Sequence, residues 1–320
     1  MHTLRRAVRA ASPAVKVSAA IAVLSVLLAG AATWRFAERR GADTTVGKVS
    51  PTAAHSGWQR GSRTPPGRTA DAYDRQVLSL GPVLYLSMAH PRAGTEEDLS
   101  GHGHDGVYFP RNHLPAQVRL PNGDGAADFD GHGQYLQVPS ANVLSVTHAG
   151  CLTVEAWIRP MTLQFPAAQG SGYVYVLGKG SLGKQEYAIR MYSYFNSEHP
   201  ARPNRLSSYV FNLRGGKGSG AYFQDEVTAR QWMMVTFVVD SRSTRAWPHG
   251  YVALFKNGRE RDKVSLSQYG VHPQAGTAPF RIGTRDLDSY FEGAVAKVAV
   301  YDYVLSAADI LGTYDAMHRA

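Results

Sequence analysis

The chain has 320 residues, enough for one large domain or two small ones, with an ordinary globular composition that is generous in Gly (32) and Tyr (17). Its net charge of +9 is uneven: residues 1–72 carry 11 Lys+Arg against 3 Asp+Glu, and residues 73–320 carry 23 against 22. The near-neutral remainder leaves no electrostatic basis for nucleic-acid binding by a folded domain. The single cysteine, Cys151, excludes a disulfide framework or a cysteine-built zinc site within one chain, and reads as a small buried apolar residue.

In chain order, residues 1–16 form a basic tail with Arg5, Arg6, Arg9 and Lys16. Residues 17–34, VSAAIAVLSVLLAGAATW, are uncharged and mostly apolar. As a helix they would span roughly 27 Å, close to the hydrocarbon thickness of a bilayer. Two readings fit. One is an uncleaved signal anchor with a cytoplasmic tail and an extracellular C-terminal domain, favoured by the length of the run and by Trp34 at an interfacial position. The other is a signal peptide cleaved near Ala29-Gly30-Ala31, which would release a secreted protein. Both place the bulk of the chain outside the cytoplasm. Residues 35–72 carry no apolar period; from 41 they are rich in Gly, Ser, Thr, Pro and Arg, and read as a disordered linker. Trp58 has no role in that reading.

From Tyr73 the pattern changes to short period-two runs separated by Gly, Asn, Asp and Pro. PVLYLSM, DGVYF, QYLQV, LTVEAWI, YVYVLG, YAIRMYSY, LSSYVFNL, AYFQDE, WMMVTFVVD, YVALFKNG, FRIGT and AVAKVAVYDY predict strands. Asn257-Gly258 is a hairpin signal, because a type I′ turn needs positive φ twice. Only the end reads as helical: Ser306 and Asp309 suit a capping box, with Ile310, Leu311, Tyr314 and Met317 at helical spacing. So many strands without alternating helices predict one all-β sandwich or jelly roll over 73–320, ending in a short C-terminal helix. In LTVEAWI, period two puts Leu152, Val154, Ala156 and Ile158 toward the core and Thr153, Glu155, Trp157 and Arg159 on the other face.

ADFDGHGQYLQVP followed by LTVEAWIRP, the turn DLSGHGHDGVY and the closing FEGAVAKVAVYDYVLSAADI occur in an order that resembles the LamG-like jelly rolls of the concanavalin A-like lectin and glucanase superfamily. The resemblance covers roughly 80–318 and implies the jelly-roll fold. It says less of function, since the superfamily holds lectins, adhesive modules, hydrolases and lyases.

No cofactor is required by the sequence; calcium is the ion for which the resemblance implies a place. Asp98, Asp105, Asp128 and Asp130, with the carbonyl of Gly131, are suitable oxygen donors on glycine-rich turns. Calcium-binding relatives also carry a carboxylate just before the closing V-x-I/V-Y, where this chain has Ala296 and Lys297; Glu292, Asp286 or Asp288 would have to substitute. A second reading makes these residues turn formers, with Asp and Ser bonding their own backbone and Gly taking positive φ. A third assigns His102, His104 and His132 to a transition metal.

The superfamily's glucanases carry an E-x-D-x-(x)-E strand, which this chain lacks; Glu186 and Arg190 in QEYAIRMYSY resemble a lyase strand only faintly. Binding is the better-supported expectation. Tyr173, Tyr175, Tyr187, Tyr192, Tyr194, Tyr209 and Tyr222 crowd the middle strands, near Asn196, Asn204, Arg205 and Asn212. A tyrosine offers a rigid plate with a polar tip, suited to a sugar ring, although tyrosines also fill large sandwich cores. The expected ligand face comprises Trp157, Arg159, Tyr187, Arg190, Tyr192, Tyr194 and Tyr209. The sequence thus predicts a membrane-tethered, extracellular, non-catalytic module whose partner is a glycan or a cell-surface protein. The alternatives are a polysaccharide hydrolase or lyase with a degenerate site and a protein-binding adhesion module.

Overall fold

A computed structural model describes residues 71–165 and 168–319. The basic tail, the apolar segment 17–34 and all but the last two residues of the linker 35–72 lie outside the described residues, as does Trp58. Among the described residues no helix is long and apolar enough to cross a membrane.

In chain order, helix α1 (Ala72–Ser79) is followed by strands β1 (Leu84–Leu86), β2 (Thr95–Glu96), β3 (Gly106–Phe109), β4 (Ala116–Arg119), β5 (Gly125–Asp130), β6 (Tyr135–Val138), β7 (Cys151–Pro160) and β8 (Tyr173–Ser181). Then come β9 (Lys184–Tyr192), β10 (Leu206–Val210), β11 (Ser219–Tyr222), β12 (Met233–Asp240), β13 (Tyr251–Lys256), β14 (Arg259–Ser265), β15 (Phe280–Ile282), β16 (Glu292–Tyr301) and helix α2 (Ala307–Ala316). They form two antiparallel sheets. The first runs β14-β13-β12-β7-β16-β5-β4, with β1 also paired to β16; the second runs β11-β10-β9-β8-β15-β6-β3-β2. Inner faces of both sheets meet in one core, and the fold is the jelly-roll sandwich that the strand pattern and the resemblance predict.

Local chemistry accounts for the elements. Leu152, Val154, Ala156 and Ile158 all enter the core. Asn257 (φ 52°) and Gly258 (φ 79°) make the turn between β13 and β14, and a Cβ at Gly258 would come within 2.8 Å of Leu311. Ser306 and Asp309 form a reciprocal capping box at the start of α2. At the other end Asp71 caps α1 by accepting from the Asp74 N–H.

The outer face of the first sheet is not open to solvent. The helices at the two ends of the domain pack on it, so Thr153, Glu155 and Trp157 are as buried as their core-facing neighbours. Trp157 lies between Tyr73 of α1 and Tyr314 of α2, stacked on the latter at 5.8 Å. Glu155 accepts from Thr236 Oγ1 and from the Tyr301 hydroxyl. Burial raises its carboxyl to about 8, against the pull of those two hydrogen bonds.

That shift sets a pH dependence. The folded chain holds a proton here that the unfolded chain, ionising near 4.5, has already released. Stability from this group is full below its unfolded value and is lost as pH rises through the folded one. Glu155→Gln removes the titration. Its melting temperature minus that of the wild type should therefore rise by roughly 8 °C between about pH 5 and about pH 8.5, followed by circular dichroism. A difference that stays flat over this range would show that Glu155 ionises normally.

Candidate functional site

The outer face of the second sheet carries an unusual set of side chains. On β9, Tyr187, Ile189 and Met191 point into the core, so Glu186, Arg190 and Tyr192 point out. From neighbouring strands Tyr173, Tyr175, Lys179 and Tyr209 join them, and Phe211 follows β10 on the same side. The Arg190 guanidinium sits between two rings, 4.2 Å from the centroid of Tyr173 and 3.9 Å from that of Tyr209. Its Nη2 donates to the Tyr192 hydroxyl, which shares a 2.7 Å hydrogen bond with the Tyr209 hydroxyl. Burial pushes the Tyr209 phenol up to about 12, against the stabilising charge of Arg190. Arg202 reaches the same two hydroxyls and stands over the Tyr222 ring. Further along, Arg285 lies 4.0 Å from the Tyr175 ring.

Acidic side chains on this face are matched to cations. Glu186 pairs with Lys179 at 2.5 Å, Asp286 with Arg285 at 2.6 Å, and Glu198 lies between Arg190 (3.6 Å) and Arg202 (4.0 Å). The Lys179–Glu186 pair also clamps a strap that crosses the face: Lys179 donates to the Gly276 carbonyl and Glu186 accepts the Gly276 N–H. A Cβ at Gly276 would come within 2.8 Å of the Leu213 Cδ1 methyl, so the strap lies close against that side chain.

The residues expected to form one ligand face separate. Arg190, Tyr192 and Tyr209 are brought together as described. Tyr194 follows them on the β9–β10 loop and is 60% exposed beside Phe195 at 65%. Tyr187 is buried in the core, its hydroxyl donating to the Leu144 carbonyl. Trp157 and Arg159 belong to the other sheet, Trp157 beneath the helices and Arg159 over the Trp232 ring at 5.2 Å. Neither Trp157 nor Tyr187 presents a surface to a ligand.

The expected calcium donors also divide. Asp98 is buried and fully engaged: Oδ1 accepts the N–H groups of Tyr85 and Ser100, and Oδ2 that of His104. Its own N–H donates to Asp105 Oδ1. Asp130 accepts the His132 N–H, and Gly131 (φ 74°) and Gly133 (φ 105°) take positive φ. Both loops therefore have the hydrogen bonding of Asx turns. His102 and His104 lie parallel with ring centroids 6.5 Å apart. Antiparallel pairing of β5 with β16 sets Glu292 opposite Asp130 and Ala294 opposite Asp128. The three acids line an open cleft of about 540 Å³ with His113, His132 and Gln134. Burial raises the Asp128 carboxyl, with Arg159 opposing, and its Oδ1 has no hydrogen-bond partner.

A different group has the spacing of a cation site. Ligand oxygens of Asp71, Asp74 and Asp124 lie within 4.8 Å of one another, close enough to hold an ion. The cation among them is the Lys297 ammonium, fully buried, 2.5 Å from Asp74, 2.6 Å from Asp124 and 3.5 Å from Asp71. Sequence reasoning noted Lys297 only as a departure from the acidic pattern. Its signal was a lysine within an otherwise apolar closing strand. Arg202, Arg285 and Phe195 were also missed, since loop residues carry no period to mark their direction.

A family model described as the concanavalin A-like lectin/glucanases superfamily matches residues 130–311. A search of curated proteins finds no match. Among solved structures, the chain is similar to domain 4 of AbnA, an extracellular arabinanase from Geobacillus stearothermophilus, in complex with arabinotriose; identity is 16%, TM-score 0.51, coverage 73% of this chain and 98% of that one. It is also similar to the binding domain of Paraclostridial Mosquitocidal Protein 1 (13%, TM-score 0.53, 74% and 52%). A third is the botulinum neurotoxin serotype D ligand binding domain in complex with N-acetylneuraminic acid (11%, TM-score 0.52, 77% and 52%). The two toxin domains are thus matched over about half their length, and at these identities the likeness is one of fold.

Replacing Lys297 should expose what its ammonium does. Lys297→Met leaves buried carboxylates without their cation and should destabilise the chain by about 3–5 kcal/mol in chemical denaturation. Millimolar calcium should restore part of that loss in the variant, because the three oxygens stay in place. A variant as stable as the wild type would mean that the cluster contributes nothing to the fold.

Proposed function

The chain belongs to the concanavalin A-like lectin/glucanases superfamily, and from that premise we propose that its jelly roll is a non-catalytic module recognising a glycan on a polysaccharide or cell surface. The observation that carries this reading is the build of the second sheet's outer side: tyrosines and guanidinium groups predominate, Glu186, Glu198 and Asp286 each lie beside a cation, and the loop at the end of that face turns Tyr194 and Phe195 into solvent. Glycoside hydrolysis generally needs two carboxylates on either side of the scissile bond, one of them protonated. Carboxylates held by lysine or arginine suit binding better than that chemistry. The solved structures bound to arabinotriose and to N-acetylneuraminic acid support a sugar as the partner.

In this reading residues 17–34 anchor the protein in the membrane, residues 1–16 stay in the cytoplasm, and residues 35–72 carry the domain away from the bilayer. The full-length protein should then remain with alkali-washed membranes and be cut by protease added to intact cells. Recovery from the medium, shortened at its N-terminus, would identify 17–34 as a cleaved signal instead.

Calcium enters the proposal at one place, the cleft lined by Asp128, Asp130 and Glu292. The test is binding of the full-length protein, in mild detergent, to soluble polysaccharides and cell walls, with calcium and with chelator. Saturable binding lost on chelation, and lost likewise in Asp128→Asn, assigns calcium to the cleft. Binding indifferent to chelator removes calcium from the reading, and release of reducing sugar from any of the polysaccharides would overturn the non-catalytic assignment.

A further inference from the structure

Much of the outer face of the second sheet is filled by the chain's own groups. Arg190 is sandwiched between two tyrosines, Arg285 is buried against Tyr175, and the strap through Gly276 is clamped from below. A ligand laid flat on this face would have to displace these contacts. The β9–β10 loop at its end has the opposite character. Its backbone is fixed: Ser193 N–H donates to the Gly172 carbonyl, Tyr194 N–H to that of Leu163, and Ser197 N–H to that of Ser171. Buried Asn196 adds a side-chain bond to the Ser171 carbonyl and accepts the Arg202 N–H. The two aromatic side chains that this loop carries, Tyr194 and Phe195, are turned into solvent and contact each other edge to face, with centroids 5.8 Å apart and planes at 80°.

A loop so firmly held that leaves two aromatic rings in water has the features of a pre-organised contact surface. The geometry points to Tyr194 and Phe195 as the floor and wall of a subsite for one carbohydrate ring, an inference that rests on the glycan-binding reading above. The perpendicular rings form a corner that receives the C–H face and an edge of a sugar. Glu198 and Arg202 follow in the same loop, partly exposed at 28% and 18%, and supply an acceptor and donors for ring hydroxyls. A purely apolar partner that covered this pair would strip its water and return no hydrogen bonds, whereas a polyhydroxylated ring offers C–H faces to the rings and hydroxyls to the pair.

The test is affinity electrophoresis of the full-length protein in detergent, through gels containing arabinan, xylan, mannan or polygalacturonate, with a pull-down on cell walls. Tyr194→Ala/Phe195→Ala should melt with the wild type and bind at least about tenfold more weakly to whichever polysaccharide retards the wild type. Tyr194→Trp should keep binding. A double variant that folds and binds as the wild type does would overturn the subsite and leave the glycan-binding reading standing. A wild type held by none of these probes would overturn both. Binding of the wild type to soluble short-chain phosphatidylglycerol but not to polysaccharide, lost in the double variant, would assign the corner to lipid and overturn its assignment to sugar.

Discussion

The fold closes on one buried ammonium. Lys297 lies on β16 within the irregular register between Ala296 and Ala299, at a φ of 53° that side-chain-bearing residues seldom adopt. There its Nζ meets Asp71 and Asp74 from the first helix and Asp124 from the turn before β5, so one charge joins segments more than two hundred residues apart. Burying such a group is unfavourable unless its partners are also satisfied. The Tyr85 hydroxyl donates to Asp74, and the Asn122 amide donates to Asp71 and Asp124. Burial raises the Asp71 carboxyl, with Asp124 adding to the rise and the Asp74 N–H and Lys297 opposing it. The same contacts seat α1 over Trp157, which is why the outer face of the first sheet became interior.

This arrangement also explains why an acidic residue in the closing strand would not serve here. Three carboxylates already converge, and a fourth would add charge that only a bound ion could offset. An ammonium at that position supplies the missing cation from the chain itself. The glycine-rich loops have a separate purpose. Asp98 spends both oxygens on backbone N–H groups and Asp130 spends Oδ1 on its own turn, so Asp128, Glu292 and the second Asp130 oxygen are the carboxylate donors left at the cleft, with the buried Asp128 Oδ1 unpartnered.

Most of the sandwich was legible because a half-buried strand states its direction in period two. The sequence reading placed the faces of β7 correctly, and the turn at Asn257-Gly258 and the cap at Ser306 declare themselves chemically. Strand β14, RERDKVS, was not recognised as a strand, because an edge strand with little buried surface has no apolar alternation to show. Helix α1 was missed because its eight residues carry only a short apolar stripe, with Tyr73 and Val77 inward. For the candidate site the limit was different. Period two distinguishes two faces without saying what covers each. Trp157 and Arg190 both lie on the outer face of their sheet, yet one is sealed by helices into the core and the other is packed by tyrosines of its own sheet. Tyr187 shares its strand with Arg190 but lies three residues away, and that odd spacing sends it inward.

Both outer faces being occupied has a consequence for how such a domain meets a partner. A sandwich normally offers a broad sheet surface, and here the first is roofed by the terminal helices while the second is crossed by a strap and packed with guanidinium groups. Contact would then pass to segments that the sheets hold in place without covering, namely the β9–β10 loop and the cleft at the end of the paired strands β5 and β16. Rigid loops of this kind lose little conformational entropy on binding, so even a small contact can be selective. Their area is limited, however, and a single corner of two rings gives weak binding on its own. Many copies displayed on one surface would compensate by multivalency.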